Sequence, residues 1–169
     1  LPLPRARARE LMTKRILGWQ SWHRRRKSIH LSTVLQAVVR DVHAHHPDQI
    51  AVTGDVGNIS LPSEHVAARE WFETIDRPER VLVVPGNHDA YVSLPASEGV
   101  ALWGAYREGE DGAAPAIRRL GQVMLIGVDS AVPMPWLMSG GTVGPVQMDK
   151  LAAALDRGRR EGLCRVVLI

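Results

Sequence analysis

The sequence predicts an α/β fold, and three observations carry the prediction. Two valine-rich apolar runs, 49–53 and 80–84, are strand-length and end in turn signals. Between them lies a helical pattern of about fourteen residues, the kind of connection that parallel strands need. The pattern returns near the end of the chain, where a helix opened by Pro145 precedes the apolar run 163–169. At 169 residues, with 45% hydrophobic and 23% charged residues, the chain suits one soluble domain with its own core. We read 1–169 as that single domain, with 1–30 as a basic excursion and 31–169 as the α/β core.

Charge is unevenly spread. Residues 1–30 hold nine Lys/Arg against one acid, whereas 31–169 hold twelve against seventeen. A domain that binds nucleic acid over its whole surface is therefore not indicated. The excursion interleaves Leu11, Ile16, Leu17, Trp19 and Trp22 with cations that include Arg24-Arg25-Arg26-Lys27. A helix over 6–17 is expected. The basic stretch offers a surface for phosphate, nucleic acid or anionic lipid, or is simply solvated with its tryptophans docked on the domain, and we favour the latter.

Leu31, Val34, Leu35, Val38, Val39 and Val42 form one helical stripe, with Ser28 as expected cap and Pro47 as stop. His43, His45 and His46 follow. Imidazoles at i and i+3 can share a metal, but basic residues at a helix C-terminus are favoured by the dipole in any case, and we prefer that reading. The next helix is expected to start at Ser60 or Ser63 with Pro62 in its first turn, and to bury Ala68, Trp71, Phe72 and Ile75. After an irregular stretch at 91–116, strands at 116–120 and 122–127 flank Gly121 as a tight hairpin. Gly140-Gly141-Thr142-Val143-Gly144 lacks the preceding strand of a dinucleotide fingerprint and reads as a loop. The helix after it should bury Met148, Leu151, Ala152 and Leu155 and close at Gly158.

Two strand ends carry the polar chemistry. The first run breaks at Gly54-Asp55-Val56-Gly57-Asn58, and the second at Gly86-Asn87-His88-Asp89. Crossovers between parallel strands are right-handed in nearly all cases, so both loops should open on the same edge of the sheet, where α/β sheets bind ligands. Asp55 and Asn87 are then neighbours in space. Asp55 suits a hard divalent cation, and Asn87 is a neutral oxygen ligand beside it. His88 can donate to a phosphate oxygen or protonate a leaving group. Asp89 is placed to orient that imidazole. Asn58 and Asp129 are further candidates, Asp129 being read first as a turn residue. Asp55, Asn58, Asn87 and Asp89 would each, alone, pass for a turn former. Ser130 lacks a nucleophile-elbow context, and Cys164, expected to be buried in mid-strand, is a poor nucleophile. One cysteine precludes an internal disulfide.

These two motifs resemble the calcineurin-like metallophosphoesterases, and within them the bacterial branch of cyclic-nucleotide-type phosphodiesterases. The resemblance implies a β-sandwich of two mixed sheets flanked by helices. It also implies hydrolysis of phosphate mono- or diesters by an activated water at two divalent ions, with Mn, Fe or Zn as candidates. On that resemblance Asp55 would bridge the ions, Asn87 would ligate the second and also contact phosphate, and His88, with Asp89 as partner, would act on the phosphate or leaving oxygen. The family's opening Asp-x-His motif, its later His and its Gly-His-x-His motif have no counterpart here, so we expect a fragment, incomplete at both ends, with weak or no activity of its own. Gly57 stands where relatives carry an apolar residue. Alternatives are a nuclease-like or nucleic-acid-binding member of the same fold, or an inactive interaction scaffold. The expected partner is a small phosphoester, the expected location the cytoplasm, and no run is long enough to span a membrane.

Overall fold

The computed structural model describes residues 1–109 and 114–169. The chain opens with a 3-10 turn, Ala8–Leu11, and then helix α1, Arg15–Ser21, which continues into a wider turn at Trp22–Arg26. The helix expected over 6–17 therefore arrives late. Its register is set by tertiary contacts. A Cβ on Gly18 would come 2.4 Å from the Ile59 side chain, and the buried Arg15 donates from Nε to Ile59 O at 3.0 Å and from its guanidinium to Ser60 O. Trp22 is buried as well. The basic segment is thus fastened to the loop that carries Asp55.

Helix α2, Ser32–Ala44, starts after Leu31 with no side-chain cap. Ser28 does not supply one, because its hydroxyl turns back to donate to Arg25 O at 3.4 Å. The stripe of α2 is only partly covered: Val39 packs against the core, whereas Leu31, Val34 and Val38 are exposed.

Strand β1, Ile50–Val52, and strand β2, Val81–Val83, pair in parallel with Ile50 opposite Val81. Helix α3, Pro62–Ile75, joins them. Its cap is neither serine. Leu61 occupies that position, Pro62 fills the first helical place, and the buried Glu64 carboxylate reaches back to accept from the backbone N–H groups of Asn58, Ile59 and Leu61 at 2.6, 3.1 and 2.9 Å. Ala68, Phe72 and Ile75 are buried as expected, and Trp71 is half-buried.

Strand β3, Ala116–Leu120, and strand β4, Val123–Gly127, form the hairpin around Gly121, whose φ is +56°. Helix α4, Pro145–Arg160, leads to strand β5, Cys164–Leu168, parallel to β4. The three-stranded sheet is mixed, and the two-stranded sheet is parallel throughout. Gly158 lies inside α4. It is buried where a Cβ would meet the Arg165 side chain at 2.8 Å, so its service is close helix–sheet packing. The covered face of α4 is Leu151, Ala154, Leu155 and Gly158, while Met148 and Ala152 are exposed. Cys164 is also exposed, because it begins an edge strand with an uncovered flank.

Strand alternation sorts the core into three clusters. Val81 and Val83 face α3 with Phe72, Trp103 and Tyr106; Leu82 on the opposite face meets Ala116 and Leu125; Met124 and Ile126 meet Ala154 beneath α4. The order of contact runs α3, β1–β2, β3–β4–β5, α4. Trp103 and Tyr106 come from the stretch 91–116, in a 3-10 segment at Val100–Tyr106; residues 110–113 of that stretch lie outside the described residues. No helix among the described residues is long and apolar enough to cross a membrane.

Candidate active site

The parallel β1–β2 pairing brings the two polar loops together at the carboxyl ends of the strands, and glycine allows them to touch. A Cβ on Gly54 would lie 2.3 Å from Gly86 N, and one on Gly86 would lie 2.3 Å from Asp55 Oδ1. Gly54 has φ +90°, and Asp55 itself has φ +54°, a left-handed conformation that costs a non-glycine residue on the order of 1 kcal/mol. That conformation leaves Asp55 exposed, with Oδ1 accepting the His88 N–H at 3.1 Å. Asp55 and Asn87 then line one cavity of about 290 Å³ together with Ser139 and Ile169. Asn87 Nδ2 donates to Ser139 Oγ at 3.3 Å. A larger cavity of about 410 Å³ sits at the opposite, amino ends of the strands beside Gln49 and Pro78. It is remote from both motifs, and ligands of α/β sheets belong at the carboxyl ends.

Asp89 does not orient His88. Its buried carboxylate accepts from Gly57 N at 2.7 Å through Oδ1 and from Gly86 N at 2.9 Å through Oδ2, which ties one loop to the other. Burial raises its pKa, and the N–H groups of Gly57 and Gly86 pull it back. The absence of a side chain at Gly57 suits this contact, since a Cβ there would sit 3.2 Å from Asp89 Oδ1.

His88 is oriented by a backbone carbonyl instead. Its Nδ1 lies 2.6 Å from Asn58 O. A carbonyl only accepts, so Nδ1 carries the proton, and Nε2 is the acceptor end. Facing Nε2 are both terminal nitrogens of Arg26 at 3.4 Å. Tyr91 stacks on the ring at 5.7 Å and 2°, and Lys14 Nζ sits 4.5 Å from the Tyr91 ring centre. Asn58 contributes through its backbone; its buried side-chain amide donates to Glu64 Oε1 at 3.1 Å and to Leu1 O at 3.0 Å, away from the cavity. Asp129 is absent from the cavity walls as well. It pairs with Arg107 and accepts from Ala131 N at 3.0 Å, the turn bond of an Asx residue. At the end of α2, His43 Nε2 bonds Ile75 O at 2.7 Å and His45 Nδ1 bonds Asp41 O at 2.8 Å. His43 and His46 line one cavity, but among the described residues they belong to no metal-holding group of three or more His, Cys, Asp or Glu side chains.

Arg26, Tyr91, Lys14, Ser139 and Glu64 were not candidates on sequence. Arg26 stands in a run of four cations, and nothing in such a run says which one turns inward. Glu64 carried a readable signal, an acid at the third helical position after Leu61.

A family model described as calcineurin-like phosphoesterase matches residues 23–151, which include both loops, their strands and α3. The chain belongs to that family. No curated protein and no solved structure matches it significantly. Calcineurin-like phosphoesterases act on phosphoesters and generally bind divalent metals. The donor chemistry of this chain meets that requirement in part. The Asp55 carboxylate and the Asn87 amide are hard oxygen donors on one cavity wall. Among the described residues, no three or more His, Cys, Asp or Glu side chains converge into a metal-holding group. Two donors are fewer than the shell of a divalent ion needs.

Proposed function

We propose that this chain carries the Asp55–Asn87 side of a dinuclear phosphoesterase centre and serves the hydrolysis of phosphate mono- or diesters. The observation that supports it most is the contact of the Gly54–Asp55 and Gly86–Asn87 turns, which sets two hard donors on one cavity, with His88 lining the cavity that adjoins it. The order of contact from α3 through both sheets to α4 supports a sandwich architecture. The likeness to cyclic-nucleotide-type phosphodiesterases and a cytoplasmic location belong to the same reading. Asp55 and Asn87 would hold the ions, with Mn, Fe or Zn all compatible with such donors. When bound, these ions supply Lewis acidity toward phosphate and a water nucleophile.

The chain's own residues do the rest. Asp55 fixes the second loop through the His88 N–H. Asn58 O holds the imidazole in the Nδ1–H form, which leaves Nε2, now facing Arg26 in the adjoining cavity, to interact with the phosphate group or the leaving oxygen. Asp89 keeps the loops in register. The experiment is divalent-metal-dependent hydrolysis of bis(4-nitrophenyl) phosphate by the complete protein. The reading expects loss of activity in Asp55→Ala and a fall of about 10²-fold or more in His88→Ala. Rates equal to wild type in both would reject it.

A further inference from the structure

A second cavity, about 300 Å³, adjoins the first and shares Asn87 and Ser139 with it. One end is polar, with Arg26 and His88. The walls beyond are apolar, with Leu17 from α1 and Val132, Met134, Leu137 and Met138 from the segment after β4. We propose that this cavity is the subsite for the organic group of an apolar phosphoester, and that Arg26 is the cation that takes its phosphate. The inference rests on the phosphoesterase reading and names the class of ester that reading leaves open.

Three observations carry it. Arg24, Arg25 and Lys27 are exposed, while Arg26 alone of the run is half-buried and directed at the site. Its present partner is a poor one. Two nitrogens at 3.4 Å from a single imidazole lone pair make weak bonds, whereas a phosphate offers the guanidinium fork two oxygens at once. The fork thus stands ready to move from His88 Nε2 to a phosphate in the adjoining cavity. The third observation is Leu137, 91% exposed and held at φ +61° on the cavity rim. A leucine in that conformation, without packing to offset it, is strained, and strain of this kind gathers at ligand clamps.

The site favours a small ester over a polymer. Its cation end is a single fork, its walls are apolar, and Lys14, the other cation of the lining, is engaged with Met134 O and the Tyr91 ring.

Calorimetric titration of the metal-free protein with inorganic phosphate, methyl phosphate and phenyl phosphate tests the proposal without turnover. Phenyl phosphate is expected to bind about tenfold or more tighter than methyl phosphate, from burial of the ring. Arg26→Gln should weaken all three ligands about tenfold or more, and Arg26→Lys, which keeps the charge and loses the fork, should fall between. Leu137→Ser combined with Met138→Ser should abolish the phenyl preference and leave inorganic phosphate unchanged. Equal binding of methyl and phenyl phosphate, undetectable phenyl phosphate binding, or wild-type affinity in Arg26→Gln would overturn the proposal. Intact binding without metal-dependent hydrolysis by the complete protein would instead count against the phosphoesterase reading alone.

Discussion

Asp89 and Gly86 are joined by a 2.9 Å hydrogen bond from the Gly86 N–H to Oδ2, and the other oxygen of the same carboxylate holds Gly57 N at 2.7 Å. One buried side chain thereby sets the distance between the loops that present Asp55 and Asn87. Asp89→Asn retains one acceptor oxygen and turns an amide donor toward the second N–H. We expect a stability loss of about 1–3 kcal/mol in urea unfolding. An Asp89 that served only to orient His88 would lower activity with little change in stability.

The contact between the loops demands glycine. Gly86→Ala places a methyl 2.3 Å from Asp55 Oδ1 and 2.5 Å from Asp55 N. Overpacking of this kind costs about 1–3 kcal/mol. Thermal unfolding should therefore show a lower midpoint, and metal-dependent hydrolysis by the complete protein should fall with it, because the methyl displaces the Asp55 donor.

Buried His65 makes stability depend on pH. Burial, helped by the charge of Arg15, lowers its pKa to about 4, against an unfolded value of 6.5. Between those values the unfolded chain binds the extra proton, so stability is level above about pH 7 and falls as pH drops through 6.5 toward 4. Urea unfolding at pH 7 and pH 5 should differ by about 2 kcal/mol from this group. In His65→Asn that part of the slope should vanish.

Cys164 is exposed at the start of the edge strand β5. A thiol reagent should therefore titrate one thiol per chain without denaturant. A thiol that reacts only after unfolding would show the strand to be covered.

The parts of this molecule that were legible in the sequence are those fixed by local pattern. Both strands of the first unit, the register-bearing helix Pro62–Ile75, the hairpin around Gly121 and the last helix and strand follow from periodicity and turn residues. Juxtaposition of Asp55 with Asn87 followed from topology, since a crossover between parallel strands leaves little freedom. What escaped was set by contacts distant in sequence. Cys164 could not be read as exposed, because exposure depends on whether a neighbour covers the strand. Asp89 next to His88 invited a pairing between chain neighbours, yet its partner Gly57 lies 32 positions away. Glu64 displaced the expected serine caps because a long side chain can serve several N–H groups where a hydroxyl serves one. Arg26 entered the site through the seating of α1 on Ile59, which charge patterning does not encode.

The proposed function depends on Asp55 and Asn87 sharing one divalent-ion site. Titration of substoichiometric Mn²⁺ into the isotopically labelled protein, followed by amide NMR, tests it most directly. The expected result is selective broadening of resonances from 54–58 and 86–89, lost in Asp55→Ala. Broadening centred elsewhere, such as at His43 and His46, or the same broadening in Asp55→Ala, would contradict it.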